Sequence, residues 1–133
     1  MGDVALQNRD KVLRLEAEVA KLPQVVLEVR HHFAPGMYAR ELTIPAGVTL
    51  TGKIHRHAHL NIVSKGSIAV MTEEGVKVIT APATFVSPPG TKRAGYALED
   101  TVWTTIHPTQ ETDLAAIEAE VIAPDFPSIE GPR

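Results

Sequence analysis

At the start of the chain, apolar residues recur at three- and four-residue steps. Ala5, Val12, Leu15, Val19 and Leu22 mark the run, Asn8 occupies one apolar slot, and Pro23 ends it. That period predicts a helix with a single apolar stripe over about residues 3–22. Two uses are open to the stripe. It can pack on the adjoining domain, as surface helices usually do, or form a short dimer seam, which at about three heptads would need help from the domain.

After Pro23 the period drops to two. Val25, Leu27 and Val29 alternate with Val26, Glu28 and Arg30, and Tyr38, Arg40, Leu42 and Ile44 follow a turn at Ala34-Pro35-Gly36. Short apolar runs then recur at 48–50, 53–63, 67–71, 76–79, 84–86 and 101–106. Between them lie Pro45-Ala46-Gly47, Lys65-Gly66, Glu73-Glu74-Gly75, Pro88-Pro89-Gly90 and Glu99-Asp100. Many short strands separated by glycine and proline predict an antiparallel barrel or sandwich rather than an α/β sheet.

Near the end the helical period returns. Thr112 is placed to cap a short helix in which Leu114, Ile117 and Val121 share a face, stopped by Pro124 and Pro127. The remainder reads as a solvated tail. The chain thus divides into an N-terminal helix (1–22), a barrel (23–110), and a C-terminal helix with an acidic tail (111–133).

A length of 133 residues suits one core. Without cysteine, there is no disulfide, thiolate metal site or cysteine nucleophile. The formal charge of −3 provides no field toward nucleic acid or anionic membrane, and no apolar run approaches the roughly 18 residues of a membrane span. The expectation is a soluble cytoplasmic protein with no nucleic-acid or membrane partner. Charge is uneven, however: 23–110 holds eight bases against six acids and all six histidines, whereas 111–133 holds six acids against Arg133. No phosphate-binding loop, dinucleotide fingerprint, nucleophile elbow or His-Glu-x-x-His run occurs.

Polar chemistry gathers in the segment from Lys53 to Asn61. Lys53, His55, His57, His59 and Asn61 share parity, so an unbroken strand would point them to one face. Same-face neighbours stand about 6.5–7 Å apart along a strand, too far for three of them to grip one ion. A bulge or a ligand from another strand is required. Two readings stand for the histidines: the hydrogen-bonded lining of a polar barrel mouth, or a metal site of His55 and His59 with His57 or His107. Neutral imidazoles suit Zn, Fe, Ni or Mn. Trp103, Thr105 and His107 share one face and Val102, Thr104 and Ile106 the other, and either can look inward. Trp103 is then either core or a stacking wall. His31 and His32 are adjacent and point oppositely, so at most one joins a pocket.

The spacing Gly47, Lys53, His55, His59, Gly66 resembles the first motif of the cupins, and Pro88, Gly90, Arg93, Ala97 resembles the second. The resemblance covers about residues 25–108 and implies a small antiparallel jelly-roll barrel, here all-β with the two terminal helices added. More narrowly, His32-Phe33, 37–42, 52–55, 90–96 and 101–107 resemble small cupin-like proteins of tailed phages and prophages, a likeness that implies no particular activity. Lys53 stands in the first histidine slot, His59 in the glutamate slot, Arg93 in the last histidine slot and Ala97 in the asparagine slot. Only His55 and His59 therefore keep an imidazole at ligand positions, and Lys53 and Arg93 bring positive charge. Both either point to solvent at the barrel ends or bind an anionic ligand.

These features predict a pocket for a small anionic or polyhydroxylated molecule, with a divalent metal on His55 and His59 and ligand contacts from Lys53, Asn61, Arg93, Tyr96 and Trp103. A second expectation is a metal-dependent enzyme of the dioxygenase or isomerase kind acting on a small acid, with His57 or His107 as its acid/base. A third is a phage-related structural or accessory protein. Edge strands of an antiparallel barrel favour pairing, so a homodimer is expected.

Overall fold

The computed structural model describes residues 3–22 and 24–126. The chain runs α1 (Asp3–Val19), β1 (Glu28–Ala34), β2 (Met37–Ile44), β3 (Thr49–Thr51), β4 (Ile54–His55), β5 (His59–Lys65), β6 (Ser67–Thr72), β7 (Gly75–Thr80), β8 (Ala83–Ser87), β9 (Ala94–Ala97), β10 (Thr101–Pro108), α2 (Leu114–Val121) and β11 (Ile122–Ala123). Every strand pairing is antiparallel. One sheet has the order β1-β2-β10-β5-β8, a second β3-β9-β6-β7, and β11 pairs with β4 in a third. Among the described residues no helix is long and apolar enough to cross a membrane.

The two larger sheets face one another because each buries one parity of its strands. Ile44, Val63, Ile68, Val70, Ile79, Ala97 and Trp103 form the main core between them. A second cluster, Tyr38 with Ile117 and Val121, seats α2 at the other end of the barrel. A third joins Ile54, Ala123 and Phe126, with Leu13 of α1 packed against it.

α1 lies on β3, β6 and β9 of its own chain, the first of the two uses its stripe allowed. Its buried residues are Val12 and, unexpectedly, Arg9. Arg9 forms an ion pair with Glu73 and lies over the Phe126 ring at 3.6 Å from its centroid. Asn8 Nδ2 donates to the Glu73 carbonyl at 2.9 Å, and Lys92 Nζ reaches Glu16 at 2.6 Å. The helix ends before Leu22, which is exposed and lies off the packed face.

Several boundaries differ from those the pattern predicts. The run 53–63 is two strands, β4 and β5, broken at Arg56, His57 and Ala58. The break is held from outside: Arg56 N donates to the Val121 carbonyl at 2.7 Å and its Nε to the Ile122 carbonyl at 3.0 Å. β9 lies in a stretch where Gly95 hides the alternation. The cap of α2 is Asp113 rather than Thr112, its carboxylate accepting from Ala116 N at 2.9 Å. Of the predicted tail, residues 125–133, Phe126 is buried rather than solvated; residues 127–133 lie outside those described.

Candidate functional site

The strand break sets the site's geometry. With 56–58 out of the ladder, His55 at the end of β4 and His59 at the start of β5 no longer keep strand spacing, and their ring centroids come within 4.1 Å. His107, from β10, closes the group at 5.1 Å from His55 and 5.2 Å from His59. One nitrogen from each of the three lies within 4.8 Å of the others. His57, in the break, is exposed and outside this group. Its carbonyl is what reaches inward, 3.3 Å from His59 Nδ1.

A carbonyl can only accept, so His59 Nδ1 carries the proton and Nε2 presents its lone pair. His59 Nε2 and His55 Nδ1 are buried without a hydrogen-bond partner. Burial disfavours the imidazolium. It lowers His55 to about 3, with the neighbouring histidines and Arg93 adding repulsion, and lowers His107 to about 4. His59 is lowered by burial too, partly offset by the His57 carbonyl. All three are neutral at ordinary pH, the form that ligates metal.

Zinc–nitrogen bonds of 2.0–2.1 Å allow two ligand nitrogens at most about 4.2 Å apart. The observed spread is within reach of small ring rotations. Orphaned buried nitrogens, the neutral state and the fixed His59 tautomer all fit a metal ion, and these three histidines could bind one.

The histidines open onto a cavity of about 630 Å³, within the range of small-molecule sites. Arg93 enters it beside them. Its Nη2 donates to Ser87 Oγ, and its guanidinium carbon lies 5.5 Å from the Phe85 ring centroid and 5.4 Å from that of Trp103. Burial lowers Arg93 to about 10, offset in part by Glu74, so it stays charged. Among the described residues no carboxylate forms an ion pair with it.

Asn61 lines the cavity, yet its amide is spent internally. Nδ2 donates to Ser87 Oγ at 2.8 Å and Oδ1 accepts from Trp103 Nε1 at 3.0 Å. Trp103 also meets Phe85 edge-on at 5.6 Å, so it serves both core and cavity wall. Lys53 sits at the cavity margin, exposed, and pairs with Glu118 of α2. The C-terminal helix thus supplies the counter-charge to Lys53. Tyr96 stands on the outer face, 45% exposed, because β9 turns Gly95 toward the cavity instead.

Pattern reading passed over Ser87, Tyr38 and Arg40. The last two share parity with Leu42 and Ile44, which was the available signal. His31 lines the cavity, its Nδ1 2.6 Å from Tyr38 Oη, while His32 faces outward to Glu41 at 2.9 Å. Burial raises Tyr38 above the usual phenol range.

No family model matches the sequence, and no curated protein does. Solved structures do match. A cupin-2 domain containing protein from Shewanella frigidimarina has TM-score 0.51 and 15% identity, covering 76% of this chain and 98% of its own. The barrel has a cupin fold. KdgF from Halomonas sp. matches at TM-score 0.53 and 20% identity, over 68% of this chain and 91% of its own. Ectoine synthase from P. lautus matches at 0.59 and 12%, over 74% and 75%. At these identities the cupin likeness concerns the fold alone, and the narrower likeness to phage-encoded cupins gains no support from these neighbours.

Proposed function

We propose that this cupin is a cytoplasmic small-molecule-binding protein whose cavity takes an anionic ligand beside a divalent metal held by His55, His59 and His107. One observation carries the reading: three neutral imidazoles, two with orphaned nitrogens, converge next to an arginine that has no carboxylate ion-pair partner among the described residues. Imidazole donors suit Zn, Fe or Ni better than Mg or Ca. Arg93 supplies directed donors for a carboxylate or phosphate.

Elemental analysis of tag-free protein tests the metal. Near-stoichiometric metal in the native chain, lost in the His55→Ala/His107→Ala double variant, is expected. Native protein that stays metal-free after incubation with Zn, Fe and Ni would refute it. The anion is tested by calorimetry with acetate and inorganic phosphate in native and Arg93→Met protein.

A second reading is a metal-dependent enzyme acting on a small acid. Three protein ligands leave coordination positions open, as catalytic rather than closed structural sites do. The His31–Tyr38 hydrogen bond, 2.6 Å long, lies at the same cavity. Turnover of small acids by the metal-loaded protein, abolished by His55→Ala, distinguishes it from binding alone.

A further inference from the structure

We propose that the ligand is a monocarboxylate with an apolar tail, its carboxylate at the histidine and Arg93 end of the cavity and its tail in an apolar depth lined by Leu42, Leu50, Val70 and Trp103. This rests on the anion-binding reading above and names its ligand class.

Strand register carries the inference. β2 and β10 pair Tyr38 with His107, Arg40 with Thr105, Leu42 with Trp103 and Ile44 with Thr101. β5 extends two of these steps, placing Asn61 beside Thr105 and Val63 beside Trp103. Along this sheet the inward groups therefore change in one direction, from imidazole and phenol, through guanidinium, hydroxyl and amide, to the hydrocarbon of Leu42, Trp103, Val63 and Ile44, the Thr101 hydroxyl at the last step being turned away to backbone carbonyls.

The opposite sheet repeats the gradient. Arg93 precedes β9, and its carbonyl accepts from Gly52 N at 2.8 Å. Gly95 then stands between Leu50 and Val70, and Ala97 beside Ile68. The polar ends of the two sheets coincide, because Arg93 bonds Ser87, which is the register partner of His59. His55 joins the same end through bonds with Thr91 and Gly90.

A ligand lying along the barrel thus meets cationic and metal-ligating groups at one end and Leu42, Leu50, Val70 and Trp103 further in. A polyhydroxylated acid would leave hydroxyls against hydrocarbon, and a long dicarboxylate would bury a second charge there; both are disfavoured. Gly95 lies at this depth with Ile68 and Leu50 packed over it: a Cβ would lie 3.1 Å from Ile68 Cδ1 and 3.5 Å from Leu50 Cδ2, so a larger side chain there would push these lining groups into the cavity.

The test is calorimetric binding of acetate, butanoate, hexanoate, octanoate and gluconate to metal-loaded, tag-free protein, with fluorescence of the single tryptophan, Trp103, reporting the site. Affinity is expected to rise about fourfold per methylene until the depth is filled. Gly95→Val and Leu50→Phe should each cut the octanoate-to-acetate affinity ratio at least tenfold. A flat alkanoate series, or gluconate binding more tightly than hexanoate, overturns the proposal, and the native series alone decides if neither variant folds. Failure of every acid, acetate included, overturns the anion reading and this proposal with it. The same chain-length gradient in metal-free protein upholds the proposal while removing the metal from it.

Discussion

His55 and His107 stack with ring centroids 5.1 Å apart and 9° between their planes, although one ends a two-residue strand and the other lies in an eight-residue strand of another sheet. Their encounter depends on the barrel closing over the break at 56–58. His107→Ala should therefore weaken metal binding by more than about 100-fold, beyond what losses around a ligand produce. His57→Ala, which leaves the His57 carbonyl in place, should leave it nearly unchanged. Competition with a chromophoric chelator measures both.

Acid should destabilise the metal-free protein through the same histidines. Unfolded histidine takes up protons near 6.5, whereas His107 and His55 in the fold do so near 4 and 3. Between these values the unfolded chain binds more protons, so stability is fully present above about pH 6.5 and is lost as pH falls toward 3. Melting temperature across that window should fall steeply in the native protein and less steeply in the His55→Ala/His107→Ala variant.

Asn61 is a positioning residue. Asn61→Leu would strand Trp103 Nε1–H inside the core and remove a donor from Ser87 Oγ. A buried unsatisfied group costs about 1–3 kcal/mol, and urea unfolding should show a loss in that range.

The Lys53–Glu118 pair crosses the cavity margin with 64% and 53% of its side chains exposed. Such pairs contribute about 0–1 kcal/mol. A double-mutant cycle with Lys53→Ala and Glu118→Ala should give a coupling in that range that fades at 1 M salt.

Gly66 turns between β5 and β6 at φ +87°, with a Cβ there falling 2.8 Å from Thr101 Cα. Left-handed geometry alone costs a side chain about 1–2 kcal/mol, and the approach to fixed backbone adds to it. Gly66→Ala should lower stability by more than about 2 kcal/mol in chemical denaturation.

Much of the barrel was legible because period-two alternation and glycine or proline turns are local signals. They located β1 to β3, β5 to β8 and β10, and the cupin motif spacing named the architecture. β9 was harder to see: it is four residues long, and its cavity-facing position is a glycine. Arg9 was misleading for the opposite reason. A charged residue on a helix reads as solvent-facing, yet here Glu73 and Phe126, far along the chain, neutralise and cover it.

The sequence by itself determined the strand alternation, the two terminal helices, the histidine-rich segment and the placing of Lys53 and Arg93 among its polar positions. Tertiary structure alone decided that His107 rather than His57 meets His55 and His59, and that Lys53 turns to Glu118 while Arg93 enters the cavity. It also decided that Tyr96 faces outward. The physical reason is common to all of these. Alternation assigns a side chain to a face, but a strand break, a partner from a distant helix and the closure of two sheets determine which faces converge.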